Sequence, residues 1–418
     1  MEKNILIISH LAINNTNNVG KTLLQLFNKF SEVHLSQLYF HPTSPNVNKC
    51  KYWYKITDEQ VISSYYGKKA GGEYIYVEDT IEEKSQFYNK NIGKTSVKLL
   101  LRDIVWKFGR IDWIKLSAWL EKVNPDVIFL APGYSVFVYR IALKISKLRK
   151  IPIVLFVMDD YFNENKNKYS LIEKIRLTWL RSIIKKIIEL SSCVVTVSQE
   201  MAKDYSNYFG IQTEVIYTPY EKKKESIIKD KTNLKDLQFI YAGSLGLNRW
   251  KVIYNIGEFL QKNYPNSIIT IYASSDYKDI IDQLVRIKNI NYGGFISADD
   301  LQNKVQKADV IVHAESFDEV SFNRTRYSIS TKIPECLASN KIFLAIGPKN
   351  QASISYLNDN KAALVCTSEE EMENTLVQLL EGKIDYSSYR ENAQKLLAEN
   401  HNPAVMYEFL CNLFNKVN

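Results

Sequence analysis

The sequence predicts an α/β protein made of two doubly wound, Rossmann-like domains. Three observations carry this. Short apolar runs such as Asn4–Ser9, Asp126–Leu130, Pro152–Val157, Phe239–Ala242 and Ile342–Ile346 read as parallel strands buried on both faces. Helical segments such as Trp113–Val123 and Leu171–Leu190 fall between them, so strand and helix alternate. The chain has 418 residues, 45% hydrophobic and 24% charged, which is enough for two cores. A polar, lysine-rich stretch without periodicity, residues 219–237, separates them as a linker. The expected domains are therefore residues 1–218 and 238–402, followed by a last helix over 403–418.

Composition narrows the function. No apolar run reaches the roughly 18 residues that span a bilayer. The amino terminus leads into a strand and does not read as a signal peptide. Five scattered cysteines with no C-x-x-C pair point to reduced thiols and a cytoplasmic protein. A net charge of +8 favours anionic partners: nucleotide, phospholipid surface or nucleic acid. Nucleic acid is set aside, because the basic residues form no compact run and no binding signature accompanies them.

In chain order, Asn4–Ser9 is the first strand, His10 closes it, and an Asn-rich loop leads through Gly20 to a helix from Thr22. Gly20 either lets that loop approach a ligand or simply makes a turn. The VGKT string at Val19–Thr22 fails as a phosphate loop, since the first required glycine falls on Asn15. Val33–Phe40 is a second strand. Residues 41–92 are irregular and aromatic-rich, with a short strand at Tyr74–Val77. Helices follow at Val97–Phe108 and Trp113–Val123, then a strand and the helix to Lys147. The strand Pro152–Val157 runs into Met158-Asp159-Asp160-Tyr161. Carboxylates at the carboxyl end of a parallel strand either bind an acceptor hydroxyl or act as base, or one of them caps the next loop. Leu171–Leu190 mixes Lys and Arg with Ile, Leu and Trp179. It is either a sheet-covering helix with a solvated basic face or one that lies on an anionic membrane, and Val97–Lys115 has a similar mixture. Cys193–Val197 is expected to be the last strand of this half, followed by a helix from Ser198.

The second half opens with the strand Phe239–Ala242, then Gly243-Ser244-Leu245-Gly246, with Arg249 at a helix start. Glycines admit backbone to a phosphate, and Arg249 is able to pair with it bidentately. Strands at Ser267–Tyr272 and Ile290–Tyr292 follow, with helices from Asp276 and Ser297. Asp309–Pro348 then reads as strand, polar loop, helix Thr331–Ser339 and strand, one βαβ crossover. Ser330 and Thr331 are good N-cap types, and Lys332 in the first turn opposes the helix dipole. Either an anionic ligand justifies that lysine, or Lys332 and Glu335 form an ordinary surface pair. A strand at Ala362–Val365 and helices from Ser368, Tyr386 and Pro403 complete the chain.

The string STKIPECLASNK (Ser330–Lys341), followed by Gly347-Pro348, resembles the donor-site signature of family 4 of the GT-B retaining glycosyltransferases. The resemblance implies two Rossmann-like domains facing across a cleft, with the last helix crossing back onto the first. It implies a nucleotide-diphosphate sugar held by Gly243, Ser244, Arg249, Lys251, Ser330, Thr331 and Lys332. Phe295, in a Gly293-Gly294-Phe295 loop, would meet the base, and Glu335 the ribose. Asp160, Lys332 and Arg249 would serve catalysis, and His10, Gly20, Asp159 and Asp160 would form the acceptor side. The family's usual E-x7-E places a first Glu where this chain has Tyr327. No D-x-D triplet occurs, so neither a metal nor any cofactor beyond the donor is expected. The expected acceptor is a glycan or lipid-linked glycan of surface polysaccharide synthesis, met at the inner face of the cell membrane. Two rivals remain: a nucleotide-sugar 2-epimerase, which shares the fold, and an inactive GT-B-like partner subunit.

Overall fold

The computed structural model describes residues 3–15, 17–67, 70–75, 96–162, 170–221 and 236–417. By contact the chain divides into Met1–Thr218 with Pro403–Asn418, and Pro219–Asn402.

The first unit begins with β1 (Ile5–Ser9), α1 (Asn18–Leu26), β2 (Leu35–Tyr39), β3 (Tyr52–Lys55), α2 (Asp58–Ser63) and β4 (Glu73–Ile75). It continues with α3 (Ser96–Phe108), α4 (Trp113–Val123), β5 (Val127–Ala131), α5 (Val136–Arg149) and β6 (Ile153–Val157). α6 (Leu171–Leu190), β7 (Cys193–Thr196), α7 (Gln199–Phe209) and β8 (Thr213–Val215) close it. Among the described residues the strand order is β4-β3-β2-β1-β5-β6-β7-β8. All neighbours are parallel except β3 and β4. β1 and β5 lie at the centre, and every one of their residues is buried, as apolar runs covered on both faces should be. The chain moves outward from β1 to β3 and then returns to β5, so winding reverses between β1 and β5.

The second unit contains β9 (Gln238–Ala242), α8 (Arg249–Asn263), β10 (Ile268–Tyr272), α9 (Lys278–Leu284), β11 (Ile290–Gly294), α10 (Ala298–Lys307) and β12 (Val310–Ala314). There follow α11 (Glu319–Thr325), α12 (Ile333–Ala338), β13 (Ile342–Ile346), α13 (Ala352–Asp359), β14 (Leu364–Cys366), α14 (Glu369–Leu380) and α15 (Ser387–Asn400). Its sheet has the order β11-β10-β9-β12-β13-β14, reversing between β9 and β12. Serine caps start the helices where the sequence expects them: Ser198, Ser297 and Ser368 accept backbone N–H bonds at α7, α10 and α14. The last helix, α16 (Pro403–Lys416), belongs to the first unit. There Phe414 stacks on Phe27 and meets Phe129 of β5 edge-on.

Several expectations need correction. The irregular region 41–92 holds β3 and the capping-box helix α2. The four residues of β3 are too few to show a period. β8, a three-residue edge strand, follows β7, so β7 is not the last strand of its half. The polar loop after β12 contains α11, started by the Asp318 cap. Gly293 and Gly294 belong to β11, where an irregularity lets Tyr272 pair with Gly294. The strand expected at Tyr74–Val77 is β4, with Tyr76 and Val77 outside the described residues. Most of the expected linker, residues 222–235, also lies outside them.

Candidate functional site

In open parallel sheets, ligands gather at the carboxyl ends of the strands where winding reverses, because loops on the two sides part there. The second unit has that point between β9 and β12. The loop after β9 is Gly243–Asn248, and its tight course is set by contacts. The Tyr241 hydroxyl donates to the Ser244 carbonyl at 2.7 Å, and a Cβ on Gly243 would lie 2.9 Å from that hydroxyl. Leu247 and Asn248 both have positive φ, 54° and 56°, which delivers Arg249 to the first position of α8. Ser244 is exposed, and its hydroxyl sits 2.7 Å from that of Tyr277.

The loop after β12 braces the first. The Glu315 carboxylate, buried, accepts from Arg249 Nε at 2.9 Å and Nη2 at 3.2 Å. Asn248 donates to Asp318 at 3.1 Å, and Asp318 also caps α11 through Ser321 N–H. Burial pulls the Arg249 pKa down, but the Glu315 charge and hydrogen bonds outweigh it and the net shift is upward. Burial works against Asp318 ionising, yet bonds from Ser316, Ser321 and Asn248 hold its carboxyl well below the usual range. His313, buried in β12, has Nε2 3.6 Å from Glu315, too long for a hydrogen bond. Burial lowers its pKa, Glu315 raises it and Arg249 lowers it, for a net downward shift.

Lys332 comes to the same place from the other direction. Its ammonium donates to the Ala242 carbonyl at 2.8 Å, where β9 passes into the glycine-bearing loop. The helix itself begins later than expected. α12 spans Ile333–Ala338 with Lys332 as its N-cap residue, so Ser330 and Thr331 are not the caps. The reason is local: the Ser330 hydroxyl and carbonyl already take the N–H groups of Lys332 and Ile333. Glu335 is half-buried in the first turn. After burial itself, its charge helps push the Tyr220 hydroxyl up to about 12. Tyr327, where the first Glu of the family pattern would stand, is buried, with the Arg326 guanidinium 4.2 Å over its ring. Lys251 and Phe295 are exposed, Phe295 at 79%.

The first unit has its reversal between β1 and β5, and there it opens into a cavity of about 890 Å³. His10 from the end of β1 and Pro132–Ser135 after β5 line it, together with Asp159 and Tyr161 after β6. Gly20 is not in the loop. It lies in the first turn of α1, which starts at Asn18 under the Asn17 cap. A Cβ at Gly20 would come within 2.5 Å of the Ala12 carbonyl, so glycine is what lets α1 close against the loop after β1. Of the two aspartates, Asp159 is accessible and lines the cavity, and its carboxylate accepts from Tyr161 at 2.9 Å. Asp160 accepts from the Tyr205 hydroxyl at 3.0 Å and from Phe162 N–H at 3.1 Å, so it caps the following loop. The protein mass around Asp159 raises its pKa; the Tyr161 hydrogen bond opposes and the Asp160 charge adds to the rise. His10 meets Arg102 at 3.4 Å, and Arg102 pairs with Asp58 at 2.9 Å.

Sequence reasoning did not single out Glu315, Asp318, Arg102 or Asp58. The loop containing Glu315 carried a carboxylate directly after an apolar strand, and that signal was available. Arg102 and Asp58 are 44 residues apart on separate helices, and nothing local links them. Among the described residues, no group of three or more His, Cys, Asp or Glu is arranged to hold a metal ion.

Residues 75–223 match the profile of Glycosyltransferase Family 4. The fold is similar to Anabaena HepE solved with UDP and glucose, at 12% identity, TM-score 0.62 and 99% coverage of both chains. The fold is GT-B. It is equally similar to the lipopolysaccharide outer core galactosyltransferase WaaB, at 14% identity, TM-score 0.61 and 99% of both chains. Sucrose-phosphate synthase of Thermosynechococcus elongatus matches at 11% identity and TM-score 0.63, again over 99% of each chain. No curated protein matches the sequence. This GT-B chain therefore resembles glycosyltransferase family 4 in its first unit by sequence, and GT-B glycosyltransferases over its whole length by fold.

Proposed function

We propose that the chain is a glycosyltransferase of the retaining, metal-independent kind. It moves a hexose from a nucleotide-diphosphate donor, bound by the second unit, to a glycan or lipid-linked acceptor bound by the first. One observation carries the reading: Lys332 and the glycine-bearing loop leading to Arg249 meet at the carboxyl ends of β9 and β12, joined by the 2.8 Å bond to Ala242. Two cations at the reversal of a parallel sheet suit a diphosphate. As the glycosidic bond breaks, negative charge grows on the leaving diphosphate, and Lys332 and Arg249 stabilise it where it forms. The sugar becomes oxocarbenium-like in the same step. Glu335 accepts from the ribose hydroxyls, Ser244 and the backbone near Gly243 attend the phosphates, and exposed Phe295 offers a face to the base. In the first unit Asp159 accepts the hydroxyl proton of the acceptor, and Asp160 holds the loop that positions it. HepE was solved with UDP and UDP-glucose, which supports a uridine donor here. The work belongs to surface polysaccharide or glycoconjugate synthesis in the cytoplasm. Among the described residues no helix is long and apolar enough to cross a membrane, and contact with its inner face is part of the proposal.

The test is thermal stabilisation by a panel of nucleotide sugars, followed by donor hydrolysis. One UDP-sugar should raise the melting temperature and be slowly hydrolysed, and Lys332→Ala and Glu335→Ala should each abolish hydrolysis. Stabilisation by no nucleotide diphosphate would leave an inactive partner subunit. Turnover of the free nucleotide sugar to an epimer would leave the epimerase.

A further inference from the structure

We propose that Glu315 is a positioning residue of the diphosphate site: it holds the Arg249 guanidinium by one edge, so that the opposite edge is set for the second phosphate of the donor. The proposal rests on the glycosyl-transfer reading and adds to it a residue that acts only through another.

A carboxylate at this place needs a reason. Glu315 follows β12 directly and stands against Arg249, where a diphosphate is to bind, and a like charge there repels the ligand. It is also the deeper partner, its side chain 4% exposed against 19% for Arg249. An ionised carboxyl is costly to bury unless it is paired. The fold nevertheless keeps room for it. The Glu315 N–H donates to the Ile346 carbonyl at 2.8 Å, and a Cβ at Gly347 would stand 2.8 Å from the Glu315 Cβ. Glycine at 347 is thus what admits this side chain. Neighbouring groups do not compete for the arginine. His313 Nε2 is 3.6 Å from Glu315, beyond hydrogen-bond reach, and Asp318 is occupied by Asn248, Ser316 and Ser321.

The geometry of the pair supplies the reason. A guanidinium carries five N–H groups in one rigid plane, enough for a fork on each of two edges. Glu315 takes the Nε and Nη2 fork, at 2.9 and 3.2 Å, and is the only hydrogen-bonding partner of that guanidinium among the described residues. Both N–H groups of Nη1 and the second of Nη2 are left, and they form the other fork, which suits two phosphate oxygens. Since Glu315 is the deeper of the two, solvent reaches the pair from the arginine side. A long side chain held only by its ligand loses its rotational freedom on binding. Here Arg249 has lost that freedom on folding, and the site is set before the donor arrives.

The experiment is calorimetric titration of the full chain with UDP and UMP, for wild type, Glu315→Gln, Arg249→Ala and the double variant. Glu315→Gln keeps the shape of the side chain and removes its charge. It should cut the preference for UDP over UMP about fivefold and leave UMP affinity unchanged. In the Arg249→Ala background the sign should reverse, because Glu315→Gln then removes only repulsion. The double variant should therefore bind UDP at least as well as Arg249→Ala alone. Glu315→Asp keeps a carboxylate and should fall between wild type and Glu315→Gln. Thermal melting checks that each variant is folded; should Glu315→Gln not fold, Glu315→Asp and the double variant carry the test. A Glu315→Gln protein with the full wild-type preference overturns the proposal. So do equal losses for UDP and UMP, which a bridge that merely joins two loops would give. A loss of the same size with and without Arg249 overturns it as well. A wild-type chain that binds UDP no better than UMP instead overturns the glycosyl-transfer reading.

Discussion

The two sheet reversals of this chain are built on opposite plans. Between β1 and β5 the first unit leaves a hollow of about 890 Å³ walled by Tyr134, Tyr139, Tyr161 and Tyr205, and an ion pair, Asp103–Arg176, lies buried among the helices. Between β9 and β12 the second unit brings polar groups together, with Arg249 on Glu315, Asn248 on Asp318 and Lys332 on the Ala242 carbonyl. The first plan suits a bulky ligand with ring faces, and the second a small, dense anion. The same reversal of winding serves both because the loops that leave it differ.

The largest effect should come from the first unit's hidden pair. Asp103→Ala strands a buried guanidinium and should cost about 3–5 kcal/mol in urea unfolding, while UDP affinity of the folded protein stays unchanged. A cost below about 1 kcal/mol would mean that the pair is not the support it is taken for. Next is Arg249→Ala, which should weaken UDP about tenfold, roughly 1.4 kcal/mol, and leave UMP nearly untouched. Equal losses for both nucleotides in calorimetry would put Arg249 away from the second phosphate. A smaller change concerns Asp159. Carboxyl NMR should find it titrating above the ordinary value of about 3.9, and Tyr161→Phe should raise it further by removing the opposing hydrogen bond. A fall in that variant would contradict the geometry. Smallest is the pH response of His313. Its folded pKa is lowered, so the unfolded chain takes up the proton first as pH falls below about 6.5, and stability should decline by at most about 1.4 kcal/mol per unit. His313→Asn should flatten that slope in denaturation curves.

The strands were legible wherever apolar residues ran unbroken. Ile342–Ile346 and Trp113–Val123 have in the structure the bounds expected for them, because sustained burial or a full helical period leaves a local pattern. β3, β8 and α11 were not legible, being too short or too polar to show a period. The site divides along the same line. Lys332 and Arg249 stand out as cations at element starts, a property of the local chain. The Glu315 carboxylate that holds Arg249 comes from 66 residues away, and only tertiary structure brings it there. Asp159 and Asp160 illustrate the limit within one dipeptide. Sequence marked both, and the hydroxyls of Tyr161 and Tyr205 decide which one faces the cavity and which is held in the loop.

The central claim is that Lys332 meets a diphosphate beside the loop after β9. Calorimetric titration of the full chain with UDP and UMP, for wild type and Lys332→Ala, tests it most directly. The account predicts that wild type binds UDP more tightly than UMP and that Lys332→Ala removes this preference while UMP still binds. A Lys332→Ala protein that keeps the full preference for UDP would contradict it.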